Sequence, residues 1–87
     1  MKIVADSKVP FLKDVFEPYA EVVYIDGNKI SHSDIIDADA MIIRTRTKCD
    51  AALLDGTKVK MIATATIGTD HIDLDYCASH GIEVNNA

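Results

Sequence analysis

The sequence predicts an α/β protein, a flavodoxin-like doubly wound parallel sheet of five strands in the order 2-1-3-4-5. Five short apolar runs are spaced along the 87 residues, and residues typical of helix starts and stops separate them. Strands that alternate with short helices favour a parallel sheet with helices on both faces. The sequence has no internal repeat and no flexible linker, so we expect one domain.

The first two strands are predicted at residues 2–6 and 21–25, the second of which is rich in β-branched and aromatic side chains. Between them, Pro10 suits the first turn of a helix. Apolar side chains then recur at helical spacing through residues 11–19, which predicts a helix there. Residues 26–28, Asp-Gly-Asn, have turn chemistry and are expected to close the second strand.

The third strand is predicted at residues 40–43, after a short helix that Ser31 or Ser33 caps. Asp50 then has the character of an N-cap, because its carboxylate can accept from a free amide of the next turn. Gly56 suits the left-handed position that ends a helix. A second short helix is therefore expected between Asp50 and Gly56.

The last two strands are predicted at residues 61–64 and 83–85. The helix between them is predicted over residues 74–80, with Asp73 as its cap and Gly81 as its end. A strand and helix series of this kind that stops just after a strand usually continues beyond it.

Composition and charge narrow the classes of function. The net charge of −5 argues against nucleic acid as a partner, because phosphate backbones require a basic face. No apolar run approaches the roughly 20 residues of a membrane-spanning helix, so no membrane partner is expected. Cys49 and Cys77 fit neither a disulfide framework nor a metal-ligand spacing, which favours reduced thiols, no metal site and a cytoplasmic location. Residues 1–87 are expected to be the N-terminal part of a longer protein.

Residues 44–48, Arg-Thr-Arg-Thr-Lys, predict an anion site. They contain the only two arginines of this acidic chain, and they begin where the third apolar run stops. Ligands bind at the carboxyl ends of strands in open α/β sheets. The planar fork of Arg44 or Arg46 suits a carboxylate or a phosphate because it donates two parallel hydrogen bonds. The alternative is a solvated strand end whose charges only aid solubility.

Residues 63–73, ATATIGTDHID, form the corresponding loop after the fourth strand. Gly68 there allows backbone amides to approach a ligand closely, although the sequence has no G-x-G-x-x-G phosphate fingerprint. His71 follows an aspartate and suits acid–base work, but a structural role in the loop is the stronger expectation. Asp6 lacks the acidic neighbour that a metal site requires, and Cys49 lacks a nearby base that would make it a nucleophile.

Residues 63–73 also resemble a segment of the D-isomer-specific 2-hydroxyacid dehydrogenases that usually reads G-R-A-G-x-G-x-D-N-I-D. Thr64 and Thr66 depart from that broad pattern. Together with residues 44–48 and 2–6, they are similar to one branch of the family, whose members oxidise 4-phospho-D-erythronate with NAD. The resemblance covers the whole chain without an obvious gap.

The resemblance implies that residues 1–87 are the substrate-binding portion of such an enzyme. NAD would be bound mainly by a domain that follows, which would also supply the catalytic arginine, glutamate and histidine, so no catalytic or cofactor-binding residue is expected in this chain. For the substrate, a small phosphorylated hydroxy acid, the resemblance implies contacts from Thr45 and Thr66 and from backbone donors around Ile67 and Gly68. Charge and position extend this set to two further residues, Arg44 and Arg46.

The reaction implied is oxidation of 4-phospho-D-erythronate to the 2-oxo acid, a step in the biosynthesis of pyridoxal 5'-phosphate, by a homodimeric full-length enzyme. Another D-2-hydroxyacid dehydrogenase, such as a phosphoglycerate dehydrogenase, is the first alternative. The second is a non-catalytic module, receiver-like or acid-binding. A receiver needs an acidic pair after the first strand and an aspartate after the third, whereas here Ser7 follows Asp6 and Arg44 ends the third strand.

Overall fold

One five-stranded sheet organises the chain in the computed structural model, which describes residues 1–9, 16–66 and 68–86. Neighbouring strands all run parallel, in the order 2-1-3-4-5. The strands are β1 (Lys2–Asp6), β2 (Glu21–Ile25), β3 (Ala40–Ile43), β4 (Met61–Thr64) and β5 (Glu83–Asn86). The predicted fold class and strand order are therefore confirmed, and only β5 is longer than predicted, by one residue.

The centre of the sheet is apolar on both faces. Every residue of β3 is buried, and β1 is buried from its second residue onward. Side chains that alternate along these strands point to opposite faces, and parallel strands are commonly covered on both. This explains why the strands appear in the sequence as continuous apolar runs and not as alternating ones.

The helices are short, and their caps stand where the sequence predicts them. They are α1 (His32–Ile35), α2 (Ala51–Leu54) and α3 (Leu74–Ser79). The Asp50 carboxylate accepts from the amide of Leu53 at 3.2 Å, and the Asp73 carboxylate accepts from the amide of Tyr76 at 3.0 Å. Gly56 and Gly81, with φ of 77° and 70°, adopt the left-handed conformation after α2 and α3.

Ser31, and not Ser33, stands at the start of α1. The amide and the hydroxyl of Ser31 both donate to the Asp34 carboxylate, each at 2.8 Å. A carboxylate that reaches back to the first amide of a helix satisfies a donor that has no partner inside the helix. The first turn is thus closed by two side chains three residues apart.

Two expectations about local structure need revision. Where a turn is expected at residues 26–28, a 3-10 helix over Gly27–Lys29 begins after Asp26. Residues 11–15 of the helix predicted over residues 11–19 lie outside the described residues. The last part of the predicted helix, residues 16–19, belongs to a turn in which the amides of Tyr19 and Ala20 donate to the carbonyl of Phe16.

The core is divided by the sheet into two clusters. On one face, buried residues of all three described helices (Ile35, Leu54 and Cys77) pack with Met41 and Ile62 of the strands. The second cluster consists of small or β-branched residues of the central strands, Ile3, Ala5, Ala40 and Ile42. Four partly buried residues pack against it: Val9, Ala20, Val22 and Ala63. The three described α-helices therefore pack against one and the same cluster of the core.

Candidate functional site

The loops that follow β3 and β4 lie side by side at the carboxyl edge of the sheet. Ile43 and Thr64 are paired at the ends of the two strands, and the amide of Ala65 donates to the carbonyl of Ile43 at 2.8 Å. The structure therefore brings residues 44–48 next to the beginning of the loop after β4. Both segments in which the sequence predicts a substrate site thus contribute to one surface.

A second connection joins the same two loops beyond the sheet. The amide of Cys49 donates to the carbonyl of His71, and the amide of Asp73 donates to the carbonyl of Cys49, each at 2.8 Å. Cys49 and Ile72 consequently form an isolated parallel bridge. The segment between Ile43 and Cys49 is held at both ends by backbone hydrogen bonds to the chain after β4.

Arg44 is oriented by a carboxylate at the end of β1. Its Nε lies 3.3 Å from Oδ2 of Asp6, whose side chain is fully buried, whereas the Arg44 side chain is 34% exposed. The other oxygen of Asp6, Oδ1, accepts from the amide of Lys8 at 2.8 Å. The ion pair therefore joins a buried anion to a cation that reaches the surface of the carboxyl edge.

The same loop is fastened to the segment after β2. Thr47 is buried, and its hydroxyl donates to the carbonyl of Gly27 at 2.9 Å. A Cβ placed on Gly27 would lie 2.3 Å from Oδ2 of Asp6, closer than atoms can approach, and 3.1 Å from Cβ of Arg46. Position 27 therefore requires a residue without a side chain, because the Asp6 carboxylate occupies that space.

The remaining residues of the loop are accessible to a ligand. Thr45 and Arg46 are exposed between the half-buried Arg44 and the buried Thr47, and Lys48 is exposed after Thr47. This alternation gives the segment two anchored positions and three positions open to solvent. A hydroxyl and two cationic groups on a fixed backbone suit an anionic ligand with several oxygen atoms.

Thr66 is the end of a chain of hydrogen bonds. Its Oγ1 lies 2.8 Å from Oγ1 of Thr64, which in turn lies 3.1 Å from Nε2 of His71. Thr66 donates to the carbonyl of Gly68 at 3.3 Å, and a carbonyl can only accept. Because each hydroxyl has one proton, Thr64 must donate to Thr66, and His71 must donate from Nε2. In this arrangement, His71 supplies the first donor of the chain of hydrogen bonds that ends at Thr66.

The turn after Thr66 is open. Gly68 is exposed, and a Cβ there would meet no described atom within 4 Å. Nothing in the described chain therefore requires glycine at this position, in contrast to Gly27. Ile67, whose backbone the resemblance implies as a donor, lies outside the described residues.

The surroundings of Cys49 and Asp6 disfavour the roles of nucleophile and metal ligand. Burial raises the pKa of the Cys49 thiol to about 12, which disfavours the thiolate that a nucleophile needs. Cys49 and Cys77 are both free and buried. Asp6 is engaged by Arg44, and among the described residues no three His, Cys, Asp or Glu side chains could hold a metal ion. Within residues 1–9, 16–66 and 68–86, none of the helices has the length and apolar character of a membrane span.

The interaction that sequence analysis missed is the pairing of Asp6 with Arg44. The signal was present in the predicted strand order, because order 2-1-3-4-5 places the end of β1 beside the end of β3. A carboxylate at the end of one buried strand and an arginine at the end of its neighbour are then within reach of each other. The requirement for Gly27 had no such signal, since it depends on a close approach that only the folded chain reveals.

Residues 2–87 match the family model described as the D-isomer specific 2-hydroxyacid dehydrogenase catalytic domain. The chain belongs to this family. Among curated members, it is 53% identical to the erythronate-4-phosphate dehydrogenase of Bacteroides thetaiotaomicron and 52% identical to that of Bacteroides fragilis. Both alignments extend over 88 residues and include the whole of this chain and 25% of the relative.

The 2-hydroxyacid dehydrogenase fold is equally clear from solved structures. The 3-phosphoglycerate dehydrogenase of Entamoeba histolytica, solved with bound NAD+, superposes with a TM-score of 0.80 at 33% identity. That alignment covers 99% of this chain and 32% of the other. The chain spans about a quarter of the length of the curated relatives it matches. The family resemblance that residues 63–73 predict is confirmed.

Proposed function

We propose that this chain is the substrate-binding part of an NAD-dependent dehydrogenase that oxidises 4-phospho-D-erythronate to its 2-oxo acid in the biosynthesis of pyridoxal 5'-phosphate. The observation that carries the proposal is the identity above 50% across the whole chain to relatives named erythronate-4-phosphate dehydrogenase. The residues of the carboxyl edge support it independently, because they offer what a phosphorylated hydroxy acid requires.

The substrate has an anionic group at each end and hydroxyls between them. Arg44 and Arg46 supply cationic donors for carboxylate or phosphate oxygens, which such forks bind in a bidentate manner. Thr45 and Thr66 supply hydroxyls. Thr66 can transfer its hydrogen bond from the Gly68 carbonyl, at 3.3 Å, to a substrate oxygen while Thr64 and His71 keep theirs. With the amides around Ile67 and Gly68, these are the proposed substrate contacts.

The described residues bind and orient, and the redox chemistry belongs to the cofactor. NAD, when bound, accepts the hydride from the carbon that carries the hydroxyl. We propose that NAD and the residues that transfer the proton lie in a domain after residue 87, and that residues 1–87 alone have no dehydrogenase activity. The fixed loops of the carboxyl edge would hold the substrate in one orientation while that domain closes over it and excludes water.

The test is a substrate panel with the complete protein. NADH formation would be measured with 4-phospho-D-erythronate, 3-phospho-D-glycerate and D-lactate. We expect the highest kcat/KM with 4-phospho-D-erythronate, and we expect the gene to restore growth without pyridoxine in a strain that lacks this step. A preference for 3-phospho-D-glycerate would instead support the phosphoglycerate alternative, which the structure of the Entamoeba enzyme at 33% identity makes the nearest rival.

A non-catalytic module is the more distant alternative. In a receiver-like protein, the third strand would be followed by an aspartate that accepts a phosphoryl group, but here β3 is followed by Arg44, which is paired with Asp6. An acid-binding module would bind 4-phospho-D-erythronate in the complete protein without forming NADH. We also expect the complete protein to be a cytoplasmic homodimer, which cell fractionation and light scattering would test.

A further inference from the structure

We propose that Asp6 is a positioning residue, which holds the guanidinium of Arg44 at the carboxyl edge so that its terminal nitrogens are available to an anionic group of the substrate. The inference rests on the proposed function of this edge as the substrate site. It gives the fully buried Asp6 a specific task in substrate binding.

The burial of Asp6 is the first argument. A charged group that is removed from solvent is costly unless it is paired, and a buried ion pair is often no more stabilising than apolar residues of similar size. Asp6 is 0% exposed at the end of a strand whose other buried residues are apolar. Stability alone therefore gives little reason for a carboxylate here, whereas orientation of Arg44 does.

The contacts of the carboxylate are the second argument. Oδ1 accepts from the amide of Lys8 at 2.8 Å, and Oδ2 accepts from Nε of Arg44 at 3.3 Å. With its oxygens on two different partners, the carboxylate cannot rotate without losing one of them. Because the contact is made through Nε, the two terminal nitrogens of the guanidinium keep their donors. Those donors match the paired oxygens of a carboxylate or phosphate.

Gly27 and Thr47 provide the third argument. The backbone of Gly27 lies so close to Asp6 that a Cβ would be 2.3 Å from Oδ2, and the Thr47 hydroxyl holds the Gly27 carbonyl at 2.9 Å. Thr47 is part of the loop that Arg44 begins. The loop is thus held at two positions. Asp6 contacts Arg44 at its start, and Gly27, which lies against Asp6, accepts a hydrogen bond from Thr47.

A double-mutant cycle in the complete enzyme tests the inference. Asp6→Asn keeps the shape of the side chain but turns an amide donor or a neutral oxygen towards Nε of Arg44. We expect Asp6→Asn to raise KM for 4-phospho-D-erythronate by roughly ten- to a hundredfold with a much smaller change in kcat, the effect expected when a binding group is misplaced by about 1 Å. In an Arg44→Ala background, Asp6→Asn should have almost no further effect on KM, because Asp6 acts through Arg44.

Asp39→Asn is the matched control. The Asp39 carboxylate accepts from the amide of Lys2 at 2.7 Å at the opposite edge of the sheet, so the variant makes the same change of charge away from the site. It should leave KM unaltered. Equal losses from Asp6→Asn in the presence and absence of Arg44, or an unchanged KM in Asp6→Asn, would overturn the positioning role. Failure of the wild-type enzyme to oxidise the substrate would instead overturn the proposed function.

Chemical rescue provides a measurement that leaves position 6 unmodified and does not depend on the folding of Asp6→Asn. Removal of the Arg44 side chain in Arg44→Ala leaves room beside the Asp6 carboxylate for a guanidinium ion. Added guanidinium, at concentrations too low to unfold the protein, should lower the KM of Arg44→Ala severalfold, whereas the same concentration of sodium chloride should not. Absence of rescue would contradict the proposed orientation by Asp6.

Discussion

The hydroxyl of Thr66 receives a hydrogen bond from Thr64 and is left with a single proton to donate. In the structure that proton goes to the Gly68 carbonyl across 3.3 Å, which is long for a hydroxyl donor. A substrate oxygen nearer to Oγ1 would therefore compete well for it. Individual atoms at the carboxyl edge thus have defined donor and acceptor roles before any substrate arrives, which makes single substitutions informative.

We expect Thr66→Val in the complete enzyme to lower kcat/KM while the thermal midpoint falls only slightly. Valine preserves β-branching and approximate volume, but it leaves a substrate oxygen without its donor, at a cost of roughly 1–3 kcal/mol. Steady-state kinetics and thermal denaturation measure the two effects. A large fall in the midpoint with normal kcat/KM for the folded protein would show that Thr66 only supports its loop.

Arg46→Ala should raise KM for 4-phospho-D-erythronate more than KM for unphosphorylated D-erythronate. Arg46 is exposed on a loop with two anchored positions, and a hydrogen bond to a charged partner contributes about 1.5–3 kcal/mol, so we expect a change of roughly ten- to a hundredfold. Lys60→Ala, which removes an exposed cation just before β4, is the control and should change neither KM. Equal effects of Arg46→Ala on both substrates would exclude a phosphate contact.

At the scale of the secondary-structure elements, the strands and helix ends were predictable because their signals are local. Short apolar runs gave all five strands, and the caps at Asp50 and Asp73 followed from residue type and spacing alone. The turn chemistry at Asp26 was likewise local, and its carboxylate accepts from the amide of Asn28 at the start of the 3-10 helix. The close approach of Gly27 to Asp6, 21 positions earlier in the sequence, and its hydrogen bond to Thr47 were not predictable in the same way, because they depend on the tertiary structure.

Thr47→Val tests the connection between the loops after β2 and β3. Thr47 is buried, and loss of its hydroxyl leaves the Gly27 carbonyl without that donor, which should destabilise the fold by roughly 1–3 kcal/mol. We also expect KM to rise, because the loop that contains Arg44 loses an anchor. Thermal denaturation and steady-state kinetics of the complete enzyme would be compared.

Thr57→Val is the control for that prediction. The Thr57 hydroxyl donates to the Leu54 carbonyl at 2.8 Å, a local contact at the end of α2 between two residues that are not among the proposed substrate contacts. It should lower the thermal midpoint and leave KM as it is. If Thr47→Val behaved in the same way, its hydrogen bond would have a purely structural role.

On the scale of the whole molecule, two carboxylates, those of Asp37 and Asp39, accept hydrogen bonds from Lys2 at the end of the sheet opposite the proposed site. The hydrogen bond from the Lys2 backbone amide holds the pKa of Asp39 below its ordinary value of 3.8, and the Lys2 ammonium does the same for Asp37. A carboxylate whose pKa is lower in the folded state stabilises the fold above its unfolded pKa. That contribution is lost as the pH falls through the folded pKa.

We therefore expect the thermal midpoint to fall as the pH is lowered below about 4, and Asp39→Asn to show a shallower fall than the wild type. Asparagine at position 39 has no charge to titrate, so the variant should be less stable than the wild type near neutral pH and closer to it in acid. Denaturation scans over this pH interval provide the measurement. Parallel curves for the two proteins would show that Asp39 does not contribute to the acid response.

The backbone bridge between Cys49 and Ile72 has a kinetic consequence. Because the amides of Cys49 and Asp73 are tied into it, the end of the loop after β3 is joined to residues 71–73 before a ligand arrives. Ligand association should then show no slow phase from rearrangement of these loop ends, and a slower phase in the complete protein would report the proposed closure of the following domain. These two amides should also exchange with deuterium more slowly than that of the exposed Gly68, whether or not a ligand is bound.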